Sequence, residues 1–160
     1  MLFRSVEKAT ELGVTRIVPV LSDRTIVRIP RGERAAKRER WLRVAEDAAR
    51  QSDAKWLPEI DEAVDFRDSL PSVRDTACFV GVLTDPPPPL LLDAVREARV
   101  QTPRPLAVYV GPEGDFTPDE LAALLEIATP ASFGPTVLRA ETAAIFAVSV
   151  VVASRSVFLV

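Results

Sequence analysis

The chain has 160 residues, 48% apolar and 27% charged, with a net charge of −3 at pH 7, which is typical of a globular protein with one hydrophobic core. Its one cysteine excludes an internal disulfide bond, and the absence of histidine removes the usual general base and argues against a zinc site. The longest apolar run is shorter than the ~20 residues that cross a bilayer, and the start MLFRSVEKATEL lacks the apolar core of a signal peptide. These features predict a cytoplasmic protein that binds neither a metal ion nor a membrane.

The charge is unevenly distributed along the chain. Residues 1–50 contain 12 Lys and Arg against 7 Asp and Glu, a net charge of +5, whereas the remainder carries −8. The basic residues cluster in RTIVRIPRGERAAKRERWLR, residues 24–43. This stretch is either a solvated helix face with ion pairs one turn apart or a surface that contacts phosphates, because arginine forks match phosphate oxygens.

The first half of the chain alternates between helical and extended patterns. Apolar spacing predicts a helix over 2–12 ended by Gly13, a buried strand over 15–22, an amphipathic helix over 33–52, an extended piece at 56–60 and a helix near 62–70. The buried stripe of the long helix is predicted to contain Ala36, Arg40, Trp41, Val44, Ala45, Ala48 and Ala49.

The second half continues this alternation. The predicted elements are strands over 76–84, 105–114 and 131–135, a helix over 90–99, a helix after Thr117, and a final apolar helix from 138–141 to 158. Thr117 and Glu120 form a capping-box pattern, with proline between them at the first helical position. We therefore predict an α/β fold with a mostly parallel sheet and helices on both faces.

Two of the predicted strands end in Gly-Pro turns, within VYVGPEGDF and SFGPTVLRAET. Ligands of open parallel sheets bind beyond the carboxyl ends of the strands, and glycine lets the backbone approach them closely. Two such loops would suit a planar polar cofactor, although ordinary strand-to-helix turns have the same spacing. The chain has no GxGxxG, GxxxxGK[ST] or GxSxG motif, so dinucleotide, phosphate-loop and serine-hydrolase sites have no local support.

Four segments in order resemble one family across nearly the whole chain: EKATELGVTRIVPVLSDRT, RWLRVAEDAARQS followed by LPEI, VYVGPEGDFTPDE, and FGPTVLRAETAAIFAVSVV. They resemble the RsmE family, the S-adenosylmethionine-dependent methyltransferases that modify N3 of a uridine in 16S ribosomal RNA during ribosome biogenesis. The resemblance implies a SPOUT fold with a C-terminal trefoil knot, a homodimer, S-adenosylmethionine as cofactor, and 16S rRNA or the small ribosomal subunit as partner.

The resemblance also implies roles for individual residues. It assigns cofactor binding to Val82, Leu83, Thr84, Gly111, Pro112, Glu113, Gly114, Phe133, Gly134, Pro135, Val137, Leu138, Arg139 and Thr142. Arg24 and Arg139 are expected to stabilise the uracil anion, and Glu113 and Glu141 are candidate bases. Lys8, Arg24, Arg28 and Arg31 are expected to contact RNA. Two structural alternatives stay open: Arg139 and Glu141 form an ion pair that fixes their loop, and Lys8 is a solvated helix residue.

The chain departs from the family pattern at several positions. The family has Glu-Gln-Ser-Gly-Arg where this chain has a stretch with Arg50, Asp53 and Ala54, and Asp115, Thr136 and Ala140 replace glycine, arginine and threonine. These changes put RNA affinity or target identity in question more than cofactor binding.

No segment corresponds to the family's N-terminal PUA-like barrel, so residues 1–160 are expected to form a single SPOUT methyltransferase domain. The leading hypothesis is a uracil-N3 methyltransferase. The alternative is a non-catalytic or retargeted SPOUT domain that binds S-adenosylmethionine or RNA without this activity. A third possibility, an α/β protein with another ligand, requires all four motifs to be accidental.

Overall fold

The computed structural model describes residues 2–101 and 104–154. Within them the helices are α1 (Leu2–Glu11), α2 (Arg34–Gln51), α3 (Phe66–Ser69), α4 (Leu91–Gln101), α5 (Pro118–Leu125) and α6 (Ala140–Ala153). The strands are β1 (Arg16–Ile17), β2 (Val20–Leu21), β3 (Glu59–Ile60), β4 (Val64–Asp65), β5 (Ala77–Gly81), β6 (Leu106–Tyr109) and β7 (Thr129–Ala131). Short 3-10 turns precede α2 at Arg31–Glu33 and follow α3 at Leu70–Val73.

All the strand pairs are parallel. Strand β1 pairs with β3, β2 pairs with β4, and β5 lies between β6 and β7 in a three-stranded sheet. The side chains of β5 alternate between two cores, because successive strand residues point to opposite faces. Cys78, Val80 and Val82 pack in the core that contains Leu124 of α5, whereas Phe79 packs with residues of α4 and α6. The predicted α/β fold with a parallel sheet and helices on both faces is confirmed.

A third core lies between the two N-terminal helices. Val6 of α1 and Trp41 and Ala45 of α2 pack there with Ile60 and Ala63. Ala48 is also buried, as predicted for the stripe of α2, but Ala36 and Arg40 are exposed. The guanidinium carbon of Arg40 lies 4.3 Å from the centre of the Phe3 ring, so this arginine covers an apolar side chain while its charge stays in water.

Several predicted boundaries are wrong for identifiable reasons. The strand predicted over 15–22 is divided into β1 and β2 around Pro19, whose nitrogen cannot donate to a ladder and whose carbonyl instead accepts from Val64 N at 3.0 Å. The helix predicted near 62–70 begins only at Phe66, because Val64 and Asp65 pair with β2.

The other differences lie in the C-terminal part. Strand β7 occupies 129–131 instead of the predicted 131–135, and the strands predicted over 76–84 and 105–114 are limited to β5 and β6. Helix α6 begins at Ala140, within the predicted range of 138–141, because Arg139 has extended backbone angles of −64° and 149° at the N-cap. The predicted continuation of this helix over 155–158 lies outside the described residues.

Candidate functional site

The carboxyl ends of three neighbouring strands meet at one edge of the main sheet. A central loop, residues 82–90, follows β5, the first Gly-Pro loop, residues 111–116, follows β6, and the second Gly-Pro loop, residues 133–135, follows β7. Because parallel neighbours are ~5 Å apart, the two Gly-Pro loops leave the sheet ~10 Å from each other, one on each side of the central loop. The two loops thus leave the same edge of the sheet, as predicted from the parallel strands, but β5 and the central loop lie between them.

A pocket of about 480 Å³ opens between the central loop and the second Gly-Pro loop. This volume is within the usual range for a small-molecule site. Its walls are formed by Val82, Leu83, Thr84, Pro87, Pro88, Leu90, Ser132, Gly134 and Pro135. Five predicted cofactor residues thus line one cavity, namely Val82, Leu83, Thr84, Gly134 and Pro135.

Hydrogen bonds around Ser132 fix the walls of this pocket. Ser132 N donates to Pro89 O, and Leu91 N donates to Ser132 O, both at 2.9 Å. The Ser132 hydroxyl oxygen accepts from Gly134 N at 3.2 Å, and Gly134 has a φ of +120°, which side-chain-bearing residues rarely adopt. A Cβ at Gly134 would meet no atom within 4 Å, so the backbone here is open to a ligand.

Phe133 occupies a different environment from its neighbours in the second Gly-Pro loop. A Cβ added at Gly81 would lie 2.7 Å from the Phe133 ring, and the ring centres of Phe133 and Phe146 are 5.8 Å apart. The side chain of Phe133 therefore packs between β5 and α6, and only its backbone lies beside the pocket. Sequence reasoning missed Gly81, although a glycine inside a strand is a signal of close approach.

The first Gly-Pro loop is held by its own aspartate. Asp115 has a φ of +59°, its backbone nitrogen donates to Pro112 O at 2.9 Å, and its Oδ1 accepts from Phe116 N at 2.8 Å. A Cβ at Gly111 would lie 2.8 Å from this carboxylate oxygen, so Gly111 leaves room for it. Aspartate tolerates positive φ better than most residues, which explains how Asp115 occupies a position where the family has glycine. Gly111, Pro112, Glu113 and Gly114 all belong to this loop, and Glu113 and Gly114 are exposed.

Residues 23 and 24, which follow β2, contact the first Gly-Pro loop and the start of α5. Arg24 Nη1 donates to Gly114 O at 2.8 Å. Glu120 is only 6% exposed, and its two carboxylate oxygens accept from Asp23 N at 2.8 Å and from Thr117 N at 2.9 Å. The predicted capping box is confirmed, since Thr117 Oγ1 accepts from Glu120 N in return. The sequence carries no signal for the contact with Asp23.

The remaining predicted residues lie at the start of α6. Val137 is 77% exposed, Arg139 is the exposed N-cap residue, and Thr142 is exposed in the first turn. Leu138 is half-buried. The carboxylate of Glu141 lies 3.4 Å from Arg4 Nη1 of α1, so the ion pair at this helix joins α1 to α6 instead of joining Arg139 to Glu141.

The predicted RNA-contacting residues differ in their partners. Lys8 lies 2.8 Å from Glu11 and 2.9 Å from Glu7, and hydrogen bonds to Glu11 and then Glu7 raise the pKa of its ammonium group. Arg28 donates to the carbonyls of Ser22 and Asp23, whereas the exposed Arg31 lies 3.5 Å from Asp65. Lys8 is the best neutralised of these cations, which favours its interpretation as a solvated helix residue.

A second, shallower depression of about 540 Å³ lies at the end of α2, away from the strand ends. Its walls are Glu46, Ala49, Arg50, Asp53, Ala54, Lys55, Trp56 and Leu57, and they include three of the departures from the family pattern. Two acidic and two basic side chains line it, so it has no net charge to select a ligand. We therefore assign the candidate site to the smaller pocket, where predicted residues from separate segments meet.

Two further observations concern only residues 2–101 and 104–154. None of the helices there is long and apolar enough to cross a bilayer. Cysteine, aspartate and glutamate side chains form no group of three or more that could bind a metal ion in this part of the chain.

Comparison with known proteins gives a consistent result. The family model described as "RNA methyltransferase domain" matches residues 2–152. The chain is 29% identical over 149 residues to ribosomal RNA small subunit methyltransferase E of Bacillus subtilis, covering 91% of this chain and 58% of that protein. It is 33% identical over 156 residues to the enzyme of the same name from Mycobacterium tuberculosis, covering 92% and 56%.

A solved structure agrees with these matches. Ribosomal RNA small subunit methyltransferase E from Neisseria gonorrhoeae, bound to S-adenosyl methionine, superposes with a TM-score of 0.77 at 26% identity, covering 92% of this chain and 58% of that one. The chain spans less than two thirds of the length of these relatives. It belongs to the RNA methyltransferase domain family, and its resemblance to the RsmE group is confirmed.

Proposed function

We propose that this member of the RNA methyltransferase family uses S-adenosylmethionine to methylate N3 of a uridine in 16S ribosomal RNA. The observation that carries the proposal is the pocket between the loops that follow β5 and β7, at the sheet edge where the first Gly-Pro loop also leaves β6. Relatives named ribosomal RNA small subunit methyltransferase E, including one solved with S-adenosyl methionine, support the choice of cofactor and substrate class.

The pocket fits such a cofactor. Its volume of about 480 Å³ suits a nucleoside-sized ligand, and its walls combine apolar side chains with backbone and hydroxyl groups that can bind polar edges. Gly134 presents open backbone at the pocket wall. Val82, Leu83, Thr84 and the second Gly-Pro loop would form one side of the site, and the first Gly-Pro loop with Val137, Leu138, Arg139 and Thr142 would complete it.

The reaction determines what the protein groups have to do. S-adenosylmethionine, when bound, supplies a methyl group on a positively charged sulfur, which is a good leaving group. The rate then depends on how well the protein aligns the uracil ring with that group. Uracil N3 carries a proton at neutral pH, so a protein carboxylate has to accept this proton and a cation has to stabilise the resulting anion.

We assign the stabilising role to Arg139 and Arg24, and the proton-accepting role to Glu113. Arg139 is exposed at the N-cap of α6, four residues after Pro135 of the second Gly-Pro loop, so its guanidinium is accessible to a substrate. Arg24 uses Nη1 on the first Gly-Pro loop and retains other donors for substrate. Glu113 is exposed on that same loop, whereas Glu141 is engaged by Arg4, so Glu113 is the first candidate base and Glu141 the second.

The rest of the assembly follows from the same proposal. We propose that residues 1–160 form a single SPOUT domain with a C-terminal trefoil knot and that Arg24, Arg28 and Arg31 contact the RNA, whereas Lys8 is paired with Glu7 and Glu11. Helix α6 is apolar on most sides and exposes 36% of Phe146, which supports a homodimer that covers this helix. The enzyme works in the cytoplasm, where its substrate is assembled.

Transfer of a labelled methyl group tests the proposal directly. The purified chain is incubated with S-adenosylmethionine carrying a tritiated methyl group and with either 16S transcript or small ribosomal subunits, and the modified nucleoside is identified by mass spectrometry. We expect 3-methyluridine at one position. Arg139→Gln should slow transfer by roughly a hundredfold, because it removes the charge that stabilises the anion.

The matched control replaces an exposed arginine that does not line the pocket and belongs to neither Gly-Pro loop. Arg96 of α4 is exposed and lies 3.9 Å from Asp93, so Arg96→Gln should change the rate by less than about twofold. Label in a different nucleoside would contradict the uracil-N3 assignment. Binding of S-adenosylmethionine without transfer to either RNA substrate would favour the non-catalytic or retargeted alternative.

A further inference from the structure

Glu120 connects two loops that are far apart in the sequence. One carboxylate oxygen accepts from Thr117 N at 2.9 Å, next to the first Gly-Pro loop. The other accepts from Asp23 N at 2.8 Å, 97 residues away in the sequence. Residues 22–30, which include Arg24 and Arg28, are called the arginine-rich loop here. A capping box needs only the contact with Thr117, so the contact with Asp23 is an additional use of the same buried side chain.

Arg24 makes a second connection between the same two loops. Its Nη1 donates to Gly114 O at 2.8 Å and lies 3.5 Å from Phe116 O. The side chain also packs closely, since a Cβ at Gly114 would lie 3.2 Å from Arg24 Cβ. Glu120 thus connects Asp23, at the start of the arginine-rich loop, to Thr117, and Arg24 connects the same loop to Gly114.

The tip of the arginine-rich loop has little other support, although Thr25 N donates to Ser22 O at 3.1 Å on one side of the tip and Ile29 packs against the N-terminal core on the other. Ile26 and Val27 are 76% and 66% exposed, and Arg28 donates to Ser22 O and Asp23 O within the loop itself. Segments with few buried contacts open at low free-energy cost, so a small number of hydrogen bonds can decide where they lie. Carboxylate-to-amide hydrogen bonds are stronger than neutral ones, which makes Glu120 well suited to that task.

We infer that Glu120 is a positioning residue that couples cofactor binding at the first Gly-Pro loop to the placement of the arginine-rich loop. The inference rests on the proposed function, because it takes S-adenosylmethionine as the ligand of the first Gly-Pro loop. A ligand that orders residues 111–116 orders Gly114 and the adjacent Thr117, and through Arg24 and Glu120 this order extends to Asp23 and to Arg28, which donates to Asp23 O. The cations proposed to meet RNA are then best placed when the cofactor is bound.

Hydrogen exchange measured by mass spectrometry tests this coupling without RNA or turnover. Amide exchange in peptides covering 22–31 and 111–117 is compared with and without saturating S-adenosylmethionine. In the wild-type chain we expect the cofactor to slow exchange in both peptides, by about threefold or more. Glu120→Gln keeps the shape of the side chain but has one acceptor oxygen in place of two, so either Asp23 N or Thr117 N loses its partner and the connection is broken in both orientations of the amide. Protection should then persist in 111–116 and be lost in 22–31.

Thr117→Val is the matched control. It removes the hydroxyl that caps α5 but keeps the hydrogen bond from Asp23 N to the Glu120 carboxylate. The variant should therefore weaken the start of α5 without changing the cofactor-dependent protection of 22–31. If Glu120→Gln does not fold, as judged by circular dichroism, Arg24→Met removes the other connection and should weaken protection of 22–31 in the same way.

The outcomes separate the two proposals. Protection of 111–117 alone in the wild-type chain, or protection of 22–31 that survives in both Glu120→Gln and Arg24→Met, would overturn the coupling and leave the proposed cofactor in place. Equal loss of protection in Thr117→Val would also overturn it, by reducing Glu120 to a helix cap. No binding of S-adenosylmethionine by folded wild-type protein, measured by calorimetry, would overturn the proposed function and the coupling with it.

Discussion

The two Gly-Pro loops contain the same dipeptide at the ends of parallel strands, yet they are held in different ways. The first is fixed by side chains from outside it and from its own tip, through Arg24, Glu120 and Asp115. The second is held mainly by Ser132, directly before it, and faces a pocket with a glycine at positive φ. The same short motif therefore supports a braced loop on one side of the sheet and an open wall on the other.

This difference indicates what each loop contributes. The first loop is connected to Asp23 through Glu120 and to Arg24 directly, so a ligand that orders this loop can also order its neighbours. An open wall offers backbone groups and space, so it is more sensitive to any added side-chain atom. The largest effect of a substitution on ligand binding is therefore expected at the second loop. Effects on stability should depend instead on how tightly the side chains beneath each loop are packed.

Gly134→Val should have the largest effect on binding. It puts a β-branched residue at a φ of +120° and directs new atoms into the open space beside the pocket. We expect the affinity for S-adenosylmethionine, measured by calorimetry, to fall by a hundredfold or more, which corresponds to about 3 kcal/mol.

Gly32→Val is the control for this experiment. Gly32 is exposed in the turn before α2 and a Cβ there also meets nothing within 4 Å, but its φ lies outside the left-handed region. The control should bind S-adenosylmethionine like the wild-type chain. Unchanged binding by a folded Gly134→Val protein would show that the ligand does not use the second Gly-Pro loop.

Gly81→Ala should produce the next largest effect, this time on stability. The new Cβ would lie 2.7 Å from the ring of Phe133, and overpacking of this kind costs about 1–3 kcal/mol in free energy of unfolding. Phe133→Leu should remove the clash, so the double variant should be more stable than the sum of the single changes predicts. Urea unfolding of the four proteins measures the coupling, and additive free energies within about 0.5 kcal/mol would contradict this packing.

Local signals in the sequence predicted most of the fold. The capping box at Thr117, the glycine after α1 and the apolar strand at β5 each carry their cause within a few neighbouring residues, and all three are present. Strand boundaries were less predictable, because Val64 belongs to a strand only through its pairing with Val20, which is distant in the sequence. The same reason explains why Glu120 was read only as a cap: no local pattern encodes its contact with Asp23.

The candidate site was predictable to the extent that motifs mark it. Gly134 and Pro135 were identified through the Gly-Pro dipeptide and the family resemblance, and they line the pocket with Thr84. Ser132 and Gly81 were missed, although both shape the second loop. Their roles depend on which strand lies beside β7 and on which side chain approaches β5, and neither can be read from spacing along the chain.

The cores beneath the two loops differ in their ionisable groups, which leads to the smallest of the expected effects. The core beneath the first loop contains Cys78 and Tyr109, whereas the buried residues beneath the second loop, Phe79, Leu91, Val95, Ala131 and Ala147, do not titrate. Burial raises the pKa of the Cys78 thiol to about 12, and burial likewise raises the pKa of the Tyr109 hydroxyl. Alkaline pH should therefore lower the free energy of unfolding through the core beneath the first loop.

The sign of the effect follows from where the protons are lost. The unfolded chain releases the Cys78 proton from about pH 9 upward, while the folded chain retains it until about pH 12, so the stability it contributes is complete below pH 9 and is lost as the pH rises toward 12. Between pH 8 and pH 10 this thiol should lower the free energy of unfolding by about 1 kcal/mol. Urea unfolding at the two pH values should show a smaller decrease for Cys78→Ala than for the wild-type chain. Val95→Ala, a comparable truncation in the other core, should lose stability equally at both pH values relative to wild type, and an identical pH dependence in all three proteins would remove Cys78 as the source of the difference.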